Sequence, residues 1–335
     1  MSDKGAAKKR GTGSNAVLAV GLVLVTLAPV AVLAIAGLDA ALLAAVLGGL
    51  TGMIAGVVIG GRFAVGVAIV MAVAQFFSYV ALSNAIAAGV VMGITALLYG
   101  LVSRRGATAA VVTFPIAILI TITAPPEAII NRPTSVTALV VALGALIGCL
   151  WGAVPGVIVG RRITRPVLGG LSVPSAWIYA VTLAIVAGGA TAFVVARDFQ
   201  KGGEWLVLTI FIVVQPSVQR TWEKMLHRIG GTAGGFVIVA IVSVLTDSSA
   251  LLYFLSIAFM VSAVVVKIES RPYWQYVLML TPSVVIAEGA TTDLLELDVV
   301  RLEFTLLGAL ISFAVLFVFR FIDVRLLPRA QGSAQ

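Results

Sequence analysis

Twelve long apolar runs, joined by short connections whose basic residues fall on alternate sides, leave this chain few folds to adopt. The runs cover residues 16–36, 40–60, 63–83, 85–102, 107–124, 136–159, 176–196, 205–219, 229–246, 250–266, 273–287 and 303–321. A helix that crosses a bilayer needs about 17–25 apolar residues, so most of these runs are of spanning length. The runs 205–219 and 273–287 are short and are read either as spans that borrow flanking residues or as half-helices. The strands of a membrane barrel alternate polar and apolar residues, and these runs do not. The chain is therefore read as an all-α polytopic membrane protein with about 12 transmembrane helices.

Charge placement orients the bundle. Basic residues are retained on the cytoplasmic side in short loops. With the N-terminus inside, the inner connections hold Arg62, Arg104, Arg105, Arg161, Arg162, Arg165, Arg220, Lys224, Arg228, Lys267 and Arg271. The two tails add Lys4, Lys8, Lys9, Arg10, Arg320, Arg325 and Arg329, and only Arg132, Arg197, Lys201 and Arg301 fall outside. The organisation expected is a basic cytoplasmic tail (1–15), a first six-helix block (16–160), a cytoplasmic linker (161–175), a second six-helix block (176–321) and a cytoplasmic C-terminal tail (322–335). The first apolar run is longer than the apolar core of a secretory signal, about 7–15 residues, and is read as a retained helix.

The blocks carry signs of duplication in one orientation. Arg104 and Arg271, like Pro115 and Pro282, are 167 residues apart, and the Leu-Gly-Ala-Leu-Ile of 143–147 recurs at 307–311. Two parallel six-helix repeats follow as the expected architecture.

Composition excludes whole classes of function. A hydrophobic fraction of 61% with only 11% charged residues leaves too little polar surface for a soluble globule, since an ordinary domain is about 25% charged. The net charge of +8 forms no basic face interleaved with aromatics, so nucleic acid is not an expected partner; the lipid bilayer is. The single cysteine, Cys149, rules out an intramolecular disulfide, and the single histidine, His227, has no companions for a metal site or for His-based catalysis. The glycine-rich stretches lack a Walker lysine. No enzyme activity, metal or cofactor is expected.

Four features are candidates for function. Gly48, Gly52, Gly56 and Gly60, with Gly144, Gly148, Gly152, Gly156 and Gly160, recur every fourth residue. That spacing lets helix backbones approach closely in lipid, so they are read as packing seams. Pro115 and Pro282 occupy matching places in the fifth and eleventh runs, and Pro216 sits in the eighth. Prolines that interrupt spans at corresponding places in two repeats point to a transporter's gate or site. Gln75, Ser78 and Tyr79 form a polar patch in the third run, while Gln215 and Ser217 bracket Pro216; such groups either bond between helices or line a cavity. No ionisable residue is expected deep within a span, which leaves Asp39, Glu204 and Glu288, near outer helix ends, as the proton-coupling candidates.

The stretch from Glu204 to Leu245, EWLVLTIFIVVQPSVQRTWEKMLHRIGGTAGGFVIVAIVSVL, carries Trp205, Gln215-Pro216-Ser217 and Arg228 with Gly231, Thr232 and Gly235. It resembles the fusaric-acid-resistance-like family, which includes bacterial aromatic acid exporters. Arg271-Pro272-Tyr273-Trp274 and the Arg301–Gly308 stretch, RLEFTLLG, are similar to that family's later motifs. The inner connections are too short for the soluble cytoplasmic domain of many relatives. The resemblance implies an exporter of organic, aromatic-carboxylate-like anions across the plasma membrane, placed in the bacterial inner membrane. Arg228 is read as leading a glycine-rich helix start, with Arg62 as its counterpart in the first block. Helix N-termini favour anions, so Arg62, Arg228, Gln215, Ser217, Gln75 and Tyr79 are the expected substrate contacts. An anion channel, or a membrane scaffold for an envelope-associated partner, are the alternatives. A homo-oligomer or accessory envelope protein is compatible with either.

Overall fold

A computed structural model describes residues 21, 25, 26, 28–125, 135–161, 169–197, 202–215, 218–246, 248–269, 271–289 and 294–326. These residues are helical, with no strand among them: a helical segment at 28–35 is followed by α1 (Asp39–Val58), α2 (Gly61–Val80), α3 (Ala85–Val102), α4 (Thr113–Thr123), α5 (Ser135–Gly160), α6 (Val173–Ala196), α7 (Gly203–Val213), α8 (Val218–Leu245), α9 (Ser249–Ile268), α10 (Tyr273–Gly289) and α11 (Leu294–Leu326). Seven described helices are long and apolar enough to cross a membrane, and three shorter apolar ones are α4, α7 and the first part of α10. The tail 1–15 and residues 162–168 of the linker lie outside the described residues.

The chain divides into two compact units. The larger comprises Thr26–Ile229 and Val299–Gln335, the smaller Met1–Val25 and Gly230–Asp298.

In the larger unit the two glycine runs pack against each other. A Cβ at Gly144, Gly148, Gly152 or Gly156 would strike the backbone of Ala41, Ala45, Gly49 or Met53, and one at Gly52 would strike the Cys149 carbonyl. Contacts that advance in the same sense on both helices make α1 and α5 parallel. The second seam, α3 against α6, runs the other way: Gly89 meets Ala192, and Gly100 meets Ala180. Lipid tails are as apolar as leucine, so no hydrophobic drive holds these helices together. Close backbone approach and dispersion supply the adhesion instead.

The distribution of side-chain size follows. On α1 the buried residues are Ala40, Ala41, Ala44, Ala45, Gly48, Gly49, Thr51, Gly52, Ala55 and Gly56. The exposed ones on α2 and α3 include Ile69, Val73, Phe77, Ile86, Val90 and Ile94. Small residues inside with bulky apolar residues outside is the packing of a bundle solvated by hydrocarbon, and the chain is a multi-pass membrane protein.

The smaller unit has a core of Val239, Val242, Leu252, Val285 and Ile286. Ser256 Oγ of α9 donates to the Ser283 carbonyl of α10 at 2.6 Å. A Cβ at Gly231 would lie 2.8 Å from the Trp274 carbonyl, and one at Gly235 would lie 2.7 Å from Thr281 Cγ2.

The structure departs from the sequence reading at three places. Pro115 is the third residue of α4, in the first turn, where the missing N–H has no partner to lose; it starts a helix instead of breaking one. Pro282 lies inside α10, which continues through it. Pro216 and Ser217 fall outside the described residues. The connection expected at 220–228 is helical, and α8 runs unbroken for 28 residues, about 42 Å at the helical rise of 1.5 Å per residue. Arg228 is therefore in the body of a helix, not at its start.

Candidate functional site

Helix α1 hands over to α2 at Gly60, whose φ of +90° is a conformation that L side chains rarely adopt. This turn sets Arg62 and Phe63 in the first turn of α2. From the other side, α3 ends at Val102 and a 3-10 turn, Ser103–Arg105, closes on Gly106. The Arg105 guanidinium lies 5.3 Å above the Phe63 ring, which fixes both arginines at one end of the α2–α3 pair.

Between them opens a cleft of about 590 Å³, lined by Val58, Ile59, Arg62, Phe63, Gly66, Val67, Val70, Leu98, Tyr99, Val102, Arg105, Ala107, Val111 and Phe114. The volume suits a drug-sized ligand, for which sites run about 300–1,000 Å³. Its chemistry is graded. Arg62 and Arg105 are exposed at one end, no acidic residue is among the lining, and the walls are aliphatic with three aromatic rings. The first turn of α2 adds helix N-terminal potential at the end where the arginines stand. The arrangement accepts an anionic head and an apolar, ring-sized body.

The other expected contacts are elsewhere. Gln75 is fully buried and accepts from Thr121 Oγ1 of α4 at 2.8 Å, a bond between helices. Tyr79 is buried in the main core. Gln215 follows the end of α7, and its Nε2 donates to the carbonyls of Ile212 at 3.0 Å and Val214 at 3.2 Å. Its backbone N–H donates to Thr221 Oγ1 at 2.9 Å. Gln215 thus satisfies carbonyls left open where α7 stops, and Tyr179 Oη also donates to the Val214 carbonyl, at 3.3 Å.

Two arginines that the sequence reading assigned to connections lie buried within helices. Arg228 is 0% exposed, and none of its three guanidinium nitrogens has a hydrogen-bond partner among the described residues. Arg301, assigned to an outer connection by sequence, is inside α11 and 2% exposed. Its guanidinium carbon stands 3.5 Å from the centre of the Trp205 ring. The signal was present: Arg228, Thr232 and Gly235 repeat the spacing of Arg301, Thr305 and Gly308. In both copies the arginine and threonine are buried and the glycine abuts another helix. Sequence reasoning also missed Arg105, Phe63, Tyr99 and Phe114 as site residues, although Phe63 directly follows Arg62.

No curated protein and no solved structure matches the chain. Residues 189–315 match the family model described as fusaric acid resistance protein-like. The match takes in α7 to α10, both arginine motifs and most of α11, and leaves the cleft residues outside it. Over residues 189–315 the chain is similar to the fusaric acid resistance protein-like family, and the rest of the chain lies outside that match.

Proposed function

We propose that this protein is a transporter that exports small organic anions, aromatic carboxylates above all, across the plasma membrane. The cleft of α2, α3 and α4 carries the proposal, because it joins two exposed guanidinium groups to a wall of Phe63, Tyr99 and Phe114. Guanidinium forks favour carboxylates, and aromatic walls favour a ring. The similarity of residues 189–315 to the fusaric acid resistance protein-like family supports transport over catalysis.

The cytoplasmic side is the one from which cargo is loaded. The concentration of Lys and Arg on one set of connections supports placing Arg62 and Arg105 there, where they draw anions by charge focusing. A duplicated bundle is supported by one recurring contact. Gly144 of α5 abuts Ala41 of α1, and Gly308 of α11 abuts Leu206 of α7; each pair is separated by nearly the same stretch of chain.

The test is efflux of benzoate from preloaded cells expressing the Arg62→Ala/Arg105→Ala variant. A hydrogen bond to a charged group is worth about 1.5–3 kcal/mol, so the internal concentration giving half-maximal efflux rises about tenfold or more. Unchanged efflux at normal protein level would reduce both arginines to helix anchors and remove the cleft from the mechanism.

A further inference from the structure

Arg228 is a buried cation with no hydrogen-bond partner among the described residues, and two more buried donors without one lie on the helices that its own helix face meets. Met225 and Ile229 of α8 share one hydrophobic cluster with Val213 of α7 and with Ala309 and Phe313 of α11. The Trp222 and Phe313 rings are 5.8 Å apart. Residues three and four apart occupy one helix face, so Arg228 belongs to the stripe of α8 that meets α7 and α11. Thr209 lies one turn before Val213, and Thr305 one turn before Ala309. A Cβ at Gly308 would come within 2.8 Å of Thr209 Cβ, which turns Thr209 toward α11.

Both threonines are 0% exposed, and neither hydroxyl has a hydrogen-bond partner among the described residues. That sets them apart from Thr51, Thr95, Thr121, Thr123 and Thr191, each of which returns its hydroxyl to the carbonyl one turn earlier. A guanidinium stays charged under all physiological conditions, and an unpaired charge out of water is among the costliest features a fold can carry. In a membrane protein such a residue marks a route for ions or substrate.

We propose that Arg228, Thr209 and Thr305 form a buried binding station for a carboxylate, at the junction of α7, α8 and α11. The guanidinium fork takes both carboxylate oxygens, and the two hydroxyls donate to the remaining lone pairs. This deepens the reading of the protein as an organic-anion transporter and assigns the carboxylate a second position, apart from the cleft of α2 to α4.

Benzoate and chloride are the probes, each added to detergent-purified full-length protein, with the thermal midpoint and equilibrium binding of radiolabelled benzoate as readouts. A ligand that binds only the folded protein raises its midpoint. The station predicts that benzoate raises the midpoint of the wild type and of Arg62→Ala/Arg105→Ala, and raises that of Arg228→Met less than the wild type's, only the cleft remaining. Thr305→Val, which keeps the side-chain shape, binds benzoate about tenfold more weakly and covers the case in which Arg228→Met does not fold. An equal benzoate shift in Arg228→Met and wild type would overturn the station. Loss of that shift in Arg62→Ala/Arg105→Ala alone would do so too, while leaving the cleft as the binding site. An Arg228-dependent shift given by chloride as strongly as by benzoate would overturn the carboxylate assignment.

Discussion

Arg228 and Arg301 share a motif spacing and a degree of burial, yet their charges are met differently. The Trp205 ring covers one face of the Arg301 guanidinium at 3.5 Å, and a desolvated cation–π contact contributes about 2 kcal/mol or more. Replacing Trp205 with Leu keeps most of the apolar bulk and removes the ring's quadrupole, whereas Phe keeps a weaker one. The thermal midpoint in detergent is expected to fall more for Trp205→Leu than for Trp205→Phe; equal losses would mean that the ring acts only by filling space. Neither arginine's burial was readable from charge pattern, because an arginine at a helix end and one inside a helix satisfy the same loop bias. Arg62 was readable, since two glycines and an arginine opening an apolar run locate both the turn and the charge. Arg105 was counted for topology and became a site residue only once the 3-10 turn brought it over Phe63.

At the scale of elements, the four-residue glycine spacing foretold close packing, and the structure adds which run meets which. The sequence held no record of that pairing because each run is compatible with any small-residue face. Gly52→Leu must displace the backbone of α5 at Cys149. A destabilisation of at least about 1–3 kcal/mol is expected from such overpacking. Gly189 on α6 has nothing within 4 Å of an added Cβ, so Gly189→Ala is expected to stabilise by up to about 1 kcal/mol through helix propensity. Thermal unfolding in detergent measures both; a Gly52→Leu protein as stable as wild type would mean the seam is not tightly packed. The prolines were the less legible feature. Pro115 proved to be a helix starter because the residues before it form a 3-10 turn at Thr108–Ala110 in place of continuous helix, a choice that run length and composition do not encode. The end of α7 was foreshadowed by Gln215-Pro216-Ser217, and Gln215 serves the backbone there.

At the largest scale, exposed bulky apolar residues and buried small ones suit helices solvated by hydrocarbon. The helical, membrane-spanning character was legible because it depends on length and hydropathy alone. The cleft was not, since it depends on where α2, α3 and α4 diverge, which no local pattern specifies. In the proposed function, this chain by itself carries organic anions. Purified protein reconstituted into liposomes and given an outward gradient of radiolabelled benzoate measures it directly. Protein-dependent flux that saturates and is lowered when Arg62 and Arg105 are both replaced by alanine is expected; benzoate retention identical to that of protein-free liposomes would rule out transport by this chain alone.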